Sequence, residues 1–122
     1  MAKVLVVDDA QFMRMRAVKL LTQNGYECIE AENGIEAVDK YKSERPDAVM
    51  LDITMPDMDG LEALKQIQKI DSNAKVAMVT AMGQQSIVME AIKAGANGYL
   101  LKPVMPDKLK EGVMKALGVA AS

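Results

Sequence analysis

The chain has 122 residues, which is the size of one domain, and half of them are apolar while 26% are charged, a composition typical of a globular fold. Fifteen basic against 17 acidic residues give a net charge of −2, which excludes a generally basic nucleic-acid binder. The chain has no histidine, which excludes His-based catalysis and the imidazole ligands of most zinc and haem sites. Its one cysteine, Cys28, excludes a disulfide within the chain.

The sequence also bears on location and domain organisation. No stretch approaches the roughly 18 apolar residues of a membrane span, and the start of the chain is too acidic for a signal peptide. We therefore expect a cytoplasmic protein that binds neither membrane nor nucleic acid. One domain is expected over residues 1–118, followed by a small-residue tail over 119–122.

Short apolar runs alternate along the chain with longer segments of helical period. Four of the runs are continuous and end abruptly in polar residues, which is typical of parallel strands buried on both faces. A fifth run, the second in chain order, is broken by glutamates, as an edge strand would be. The predicted strands are Val4–Val7, Tyr26–Ala31, Ala48–Leu51, Val76–Val79 and Tyr99–Leu101.

Each strand is followed by an amphipathic segment that predicts a helix. The five apolar stripes are Met13, Ala17, Leu20 and Leu21; Gly34, Ala37, Val38 and Tyr41; Leu61, Leu64 and Ile67; Val88, Ala91 and Ile92; and Leu109, Val113, Ala116 and Leu117. Asn33 and Glu36 have the spacing of an N-cap and its partner, and Pro106 suits a first turn. Five strand–helix units predict an open, three-layered α/β sheet, whose ligands bind beyond the carboxyl ends of the strands.

Polar side chains follow the strands at those ends. Asp8 and Asp9 follow the first strand, and Asp52, Thr80 and Lys102 follow the third, fourth and fifth. Three carboxylates in one place repel one another unless a cation joins them, and such oxygen ligands suit Mg²⁺. Together with an ammonium and a hydroxyl they make a site that stabilises a transferring phosphoryl group.

Each of these residues also has a purely structural interpretation. Asp8 or Asp9 is a common type of helix N-cap, and Asp52 suits a turn. Thr80 suits a strand end that bonds its own backbone, and a lone Lys102 is ordinarily a solvated charge. The functional hypothesis rests on the coincidence of such residues at matching positions after four strands.

The motifs resemble the receiver domain of two-component response regulators, most closely the single-domain CheY-like proteins of chemotaxis. The matching stretches are Val-Leu-Val-Val-Asp-Asp (4–9), Asp-Ala-Val-Met-Leu-Asp-Ile-Thr-Met-Pro-Asp-Met-Asp-Gly (47–60), Val-Thr-Ala (79–81) and Leu-Lys-Pro (101–103). Phe-Met-Arg at 12–14 favours the chemotaxis branch. The resemblance implies a flavodoxin-like (CheY-like) (βα)5 fold, a doubly wound, five-stranded parallel sheet in the order 2-1-3-4-5.

The resemblance also implies a phosphoacceptor. Asp52 would take a phosphoryl group from a histidine kinase or from a small donor such as acetyl phosphate. Asp9, Asp52 and the backbone carbonyl of Thr54 would hold Mg²⁺ directly, and Asp8 through a water. The domain would catalyse only its own phosphorylation and dephosphorylation and would not otherwise be an enzyme.

A switch is implied as well. Thr80 and Lys102 would bind phosphoryl oxygens, Thr80 would move towards the phosphoryl group, and Tyr99 would turn inward. The bond before Pro103 would be cis. The face formed by the fourth helix, fifth strand and fifth helix would then bind a partner, the flagellar motor switch in chemotaxis, and the protein is expected to be a monomer.

Two positions depart from the enteric chemotaxis pattern. Thr54 and Met82, two residues past Asp52 and Thr80, flank the route by which water reaches the phosphoryl group, and enteric relatives carry more polar side chains there. Met82 cannot orient a water, so we expect slower self-dephosphorylation than in a chain with glutamate at position 82. Val104 stands where many relatives carry an aromatic residue.

Several alternatives stay open. Within the same class, the chain is also compatible with a phosphorelay intermediate or with a receiver excised from a longer regulator. From another class, a Mg²⁺-dependent aspartyl-phosphate phosphatase or mutase would need Asp-x-Asp, whereas Asp52 is followed by Ile53 and Thr54. A flavodoxin-type FMN carrier would need a hydroxyl- and glycine-rich loop after the first strand.

Overall fold

The computed structural model describes residues 2–55, 58–81, 83–102 and 104–116. Strands and helices alternate in the order β1 (Lys3–Val7), α1 (Gln11–Gln23), β2 (Glu27–Ala31), α2 (Gly34–Glu44), β3 (Ala48–Asp52), α3 (Gly60–Ile70), β4 (Val76–Thr80), α4 (Gln85–Lys93), β5 (Gly98–Leu101) and α5 (Pro106–Ala116). The predicted elements are all present, and each observed strand begins and ends within one residue of its predicted limits.

The strands form one parallel sheet in the order β2-β1-β3-β4-β5. This confirms the predicted fold class and strand order. β1, β3 and β4 are the inner strands, and from the second residue of β1 onward all their residues are buried. A strand covered on both faces must be apolar throughout, which explains their continuous apolar runs.

Helices cover the sheet on both faces. One apolar core lies between the sheet and the helices α2, α3 and α4, and it includes the fully buried Leu51, Leu64 and Met78. The other core lies between the sheet and the helices α1 and α5, and it includes Val4 and Val113. Alternate residues of a strand point to opposite faces of the sheet, so the inner strands contribute side chains to both cores.

The fifth strand corrects one prediction. Tyr99–Leu101 was expected to be buried on both faces, but Tyr99 and Leu101 are 58% and 51% exposed. β5 is an edge strand, and only Leu100 between them points into the core beneath α5. Ile92 of α4, also predicted to face inward, is 42% exposed because it lies beside Gly98 and Tyr99 at this open edge.

The first helix is less deeply buried than its stripe predicted. Leu21 is 1% exposed, but Met13, Ala17 and Leu20 are only partly buried. These three line a cavity of about 40 Å³ that Leu109 of α5 also borders. Ala17 and Leu20 still pack against the core between the sheet, α1 and α5, so this small gap lies beside that core.

Two helix starts are fixed by side-chain caps. The Asn33 side chain accepts the N–H of Glu36 at 2.8 Å, which confirms the predicted cap of α2. Asp59 accepts the N–H of Glu62 at 2.9 Å at the start of α3. Such caps satisfy backbone donors that have no partner in the first helical turn.

The opposite end of the sheet carries a separate polar contact. The Tyr41 hydroxyl of α2 donates to Asp71 after α3 at 3.0 Å. Burial and the neighbouring Asp71 carboxylate raise the pKa of Tyr41 to about 12. This contact joins α2 to the turn before β4, away from the polar residues at the carboxyl ends of the strands.

Some predictions fall outside the described residues: Leu117 and the tail, Met82, and Pro103 with its peptide bond. Among the helices that the structure describes, none is long and apolar enough to cross a bilayer.

Gly60 lets α3 begin against the end of β3. Its N–H donates to the carbonyl of Ile53 at 2.8 Å. A Cβ at this position would collide with the carbonyl oxygen of Asp52 and with the Cα of Ile53. The absence of a side chain at Gly60 therefore sets the path of the loop that follows Asp52.

We expect Gly60→Ala to destabilise the protein by about 1–3 kcal/mol, because the methyl group meets backbone that has little room to move. Urea unfolding measures the change. Gly98→Ala is the control, since nothing lies within 4 Å of a Cβ placed there. Equal stability of the two variants would contradict the packing argument.

Candidate functional site

The polar residues predicted at the strand ends do converge. Asp52 and Thr80 are the last residues of β3 and β4, and Asp8 directly follows β1. Carboxylate oxygens of Asp8, Asp9 and Asp52 lie within 4.8 Å of one another. Parallel neighbouring strands explain this, because their carboxyl ends reach the same edge of the sheet.

Lys102 forms an ion pair with the most buried of these carboxylates. Its Nζ lies 2.9 Å from Asp52 Oδ2 and 3.7 Å from Asp8 Oδ2. Asp52 is 3% exposed, so its charge needs a partner that replaces lost hydration. Lys102 follows the edge strand β5 and reaches across the end of β4 to supply that charge.

The two partners have shifted pKa values. Burial raises the pKa of Asp52, and the charge of Asp8 adds to the rise, while Lys102 and the backbone N–H of Thr54 oppose it. Burial alone would lower the pKa of Lys102, but its hydrogen bond to Asp52 and the surrounding carboxylates outweigh burial and raise it. Lys102 is therefore held as a fixed positive charge.

The loop after β1 is held by contacts that the sequence analysis missed. The Asp8 carboxylate accepts the N–H of Ala10 at 2.9 Å, and the Asp8 carbonyl accepts a hydrogen bond from Arg14 at 2.7 Å. Arg14 also donates to Glu30 of β2 at 3.0 Å. The N-cap residue of α1 is Ala10, and no side chain caps it. The interpretation of Asp8 or Asp9 as an N-cap is therefore wrong.

Thr80 is buried, and its hydroxyl bonds to its own loop. The hydroxyl lies 2.9 Å from Gln84 Oε1 and 3.2 Å from the carbonyl of Ala81. The N–H of Lys102 donates to the Thr80 carbonyl at 2.7 Å. Thr54 is exposed, and its hydroxyl accepts from the Gln84 amide at 2.8 Å. The role of Gln84 was not predicted from the sequence.

The carboxylate cluster has the chemistry of a site for a hard divalent cation. Octahedral ligands about 2.1 Å from an ion lie roughly 3–4.2 Å apart, and one oxygen from each of the three carboxylates lies within 4.8 Å of the other two. Three carboxylates and one ammonium leave two formal negative charges, which one divalent ion balances. Asp8, Asp9 and Asp52 are therefore the residues that could hold a metal ion.

The comparisons with known proteins agree with this geometry. Residues 4–114 match the family described as the response regulator receiver domain. The chain is 52% identical over 116 residues to the chemotaxis protein CheY of Bacillus subtilis, covering 94% of this chain and 97% of that protein. It is 54% identical over 114 residues to CheY of Thermotoga maritima, covering 93% and 95%.

A solved structure agrees as well. A response regulator receiver domain protein from Clostridium thermocellum superposes with a TM-score of 0.92 at 30% identity, covering 97% of this chain and 95% of that one. The chain belongs to the response regulator receiver family of two-component signalling. Within that family it is a CheY-like protein.

We expect Mg²⁺ to raise the thermal unfolding temperature, because an ion bound only by the folded state stabilises it. At a concentration of 100 times Kd the rise is about 10 °C. Asp9→Asn, which removes an exposed ligand, should abolish most of the rise. Asp39→Asn on the exposed side of α2 is the matched control and should keep it. A full rise in Asp9→Asn would place the ion elsewhere.

Proposed function

We propose that this protein is a stand-alone phosphorylation switch in which Asp52 accepts a phosphoryl group from a histidine kinase. The observation that supports this most is the buried Asp52 carboxylate, 2.9 Å from Lys102 Nζ and beside two further carboxylates. Membership of the receiver family and the similarity to CheY proteins support the same function.

The proposed reaction is a transfer onto a carboxylate oxygen. An Asp52 oxygen attacks phosphorus, the bond from phosphorus to the donor's nitrogen or oxygen breaks, and its electron pair leaves with the donor. Mg²⁺, held by Asp9, Asp52 and the carbonyl of Thr54, with Asp8 acting through a water, would neutralise charge on the transferred oxygens. Lys102 would bind one of those oxygens, since it already lies within reach of Asp52.

The same site would reverse the modification. Water attacks phosphorus, the bond between phosphorus and the Asp52 oxygen breaks, and inorganic phosphate leaves. Thr54, which is exposed two residues after Asp52, would flank the route of that water. The protein would therefore turn over only its own phosphoryl group and would not be an enzyme for other substrates.

A protein donor fits the surface beside the acidic cluster. Phe12 and Met15 of α1 are 78% and 56% exposed, and their spacing of three places them on one face of the helix. α1 begins two residues after Asp9. These apolar side chains would contact the kinase domain that presents its phosphohistidine to Asp52.

The output is proposed for the face of α4, β5 and α5. Met89, Ile92, Tyr99 and Leu101 are large, exposed apolar side chains, and they line a groove of about 430 Å³ that reaches Thr80 at one end. Exposed apolar patches of this kind mark binding surfaces. Movement of Thr80 and inward rotation of Tyr99 would reshape this groove for a partner, which we take to be the flagellar motor switch.

We expect intact mass to show one added phosphoryl group after incubation with acetyl phosphate and Mg²⁺. Asp52→Ala and a sample with chelator should show none, because the first lacks the nucleophile and the second lacks the ion. Asp39→Asn is the matched control and should be modified like the unaltered protein. Modification of Asp52→Ala would assign the phosphoryl group to another residue.

The output is tested with beryllofluoride, a phosphoryl mimic, and the flagellar switch protein of the same organism. Met89→Arg should weaken binding of the loaded protein at least about 10-fold, because the charge must be desolvated in the groove. It should leave beryllofluoride affinity unchanged. Ile35→Arg on α2 is the matched control, because Ile35 is also an exposed apolar residue. This variant should bind the switch protein with unchanged affinity.

This binding assay and a phosphoryl-transfer assay together separate the motor target from a phosphorelay. Failure of the unaltered, loaded protein to bind the switch protein would exclude the motor as its target. Transfer of the phosphoryl group from Asp52 to a second histidine-containing protein would then favour a phosphorelay intermediate. Weakened binding in Ile35→Arg but not in Met89→Arg would move the output away from the proposed face.

A further inference from the structure

Gln84 lies between the last residue of β4 and the first residue of α4, and its side chain bonds to residues of two loops. Its Oε1 accepts the N–H of Ala81 at 2.7 Å and lies 2.9 Å from the Thr80 hydroxyl. Its Nε2 donates to the Thr54 hydroxyl at 2.8 Å. One side chain thus joins the loop after β4 to the loop after β3.

The orientation of this amide follows from its partners. A backbone N–H can only donate, so the Gln84 atom that faces Ala81 must be the oxygen. The nitrogen therefore faces Thr54. The Thr80 hydroxyl, which sits near the same oxygen, has one hydrogen, and that hydrogen is donated within its own loop, to Gln84 or to the Ala81 carbonyl.

This arrangement opposes the proposed reaction. A Thr80 hydroxyl that donates to Gln84 or Ala81 cannot at the same time donate to a phosphoryl oxygen on Asp52. The loop after β3, which carries Thr54, is tied by the same amide, so both loops beside Asp52 are restrained together. Phosphorylation has to break these bonds before Thr80 can move.

We propose that Gln84 is a positioning residue that holds Thr80, and with it the loop after β4, in the unphosphorylated conformation. The proposal rests on the proposed function, since it concerns the Thr80 hydroxyl that would bind the phosphoryl group. Gln84 acts through Thr80 and makes no contact with the reacting atoms. Its hydrogen bonds contribute to the free energy that the phosphoryl group must supply to shift the protein from the unphosphorylated conformation to the phosphorylated one.

Gln84→Ala should bind beryllofluoride more tightly in the presence of Mg²⁺. One neutral hydrogen bond shifts an equilibrium by roughly 2- to 12-fold, and an increase in affinity of that size is expected. The Ala81 N–H left behind is on an exposed residue, where water replaces the lost partner. Affinity for Mg²⁺ alone should not change, because the three carboxylates keep their contacts and Gln84 bonds the Thr54 hydroxyl, not the carbonyl that would hold the ion.

Gln85→Ala is the matched control. Gln85 is the next residue, carries the same side chain and is exposed at the first position of α4. Its replacement should leave affinity for beryllofluoride and for Mg²⁺ as in the unaltered protein. An effect of Gln85→Ala equal to that of Gln84→Ala would assign the change to the start of the helix and overturn the proposal.

A double-mutant cycle with Thr80→Val tests whether Gln84 acts through Thr80. Valine keeps the shape of threonine but has no hydroxyl, so Gln84→Ala should give no increase in beryllofluoride affinity in that background. A persisting increase would overturn the assignment. Unchanged or weaker binding by Gln84→Ala alone, with Mg²⁺ affinity retained, would also overturn it.

The failure of the proposed function gives a different result. If the unaltered protein binds Mg²⁺ but not beryllofluoride, the site does not accept a phosphoryl group, and both proposals are wrong. If the unaltered protein binds beryllofluoride and Gln84→Ala does not bind it more tightly, only the role of Gln84 is wrong.

Discussion

The ion pair between Lys102 and Asp52 links the edge of the sheet to its centre. The two residues are 50 positions apart in sequence, and their charged atoms are 2.9 Å apart. Asp52 ends a strand that is buried on both faces, and the cation that offsets part of the cost of burying its charge reaches it from two strands away. The strand order and the direction of β5 bring that cation to Asp52, so the site forms only when β3, β4 and β5 are assembled side by side.

Much of the fold was predictable because buried parallel strands leave a strong pattern. β1, β3 and β4 are continuous apolar runs with a sharp polar end, and the Asn33 cap follows from local spacing. The exposed face of β5 was not predictable in this way. An apolar run looks the same whether a helix of the chain covers it or it remains open at the edge, as at Tyr99 and Leu101.

The candidate site was predictable in its members but not in its connections. Residues that follow parallel strands must meet, which brought Asp8, Asp52 and Lys102 together. Gln84 and Arg14 carry long, flexible side chains on a loop and a helix, and no spacing rule marks their partners. The direction of the Thr80 hydroxyl likewise depends on Gln84. The position of the Gln84 side chain is set by the folded conformation of the loop and cannot be read from the sequence.

The Lys102 N–H donates to the Thr80 carbonyl, and Leu101 pairs with Thr80 in the sheet. The proposed recognition surface therefore adjoins the proposed reaction centre at Thr80. Equilibrium coupling between two ligands is reciprocal. If phosphorylation of Asp52 raises the affinity for a target by some factor, binding of the target must raise the equilibrium constant of phosphorylation by the same factor. A target bound in the groove would therefore shift the equilibrium towards phosphorylated Asp52. The concentration of the target would then affect the fraction of the protein that is phosphorylated.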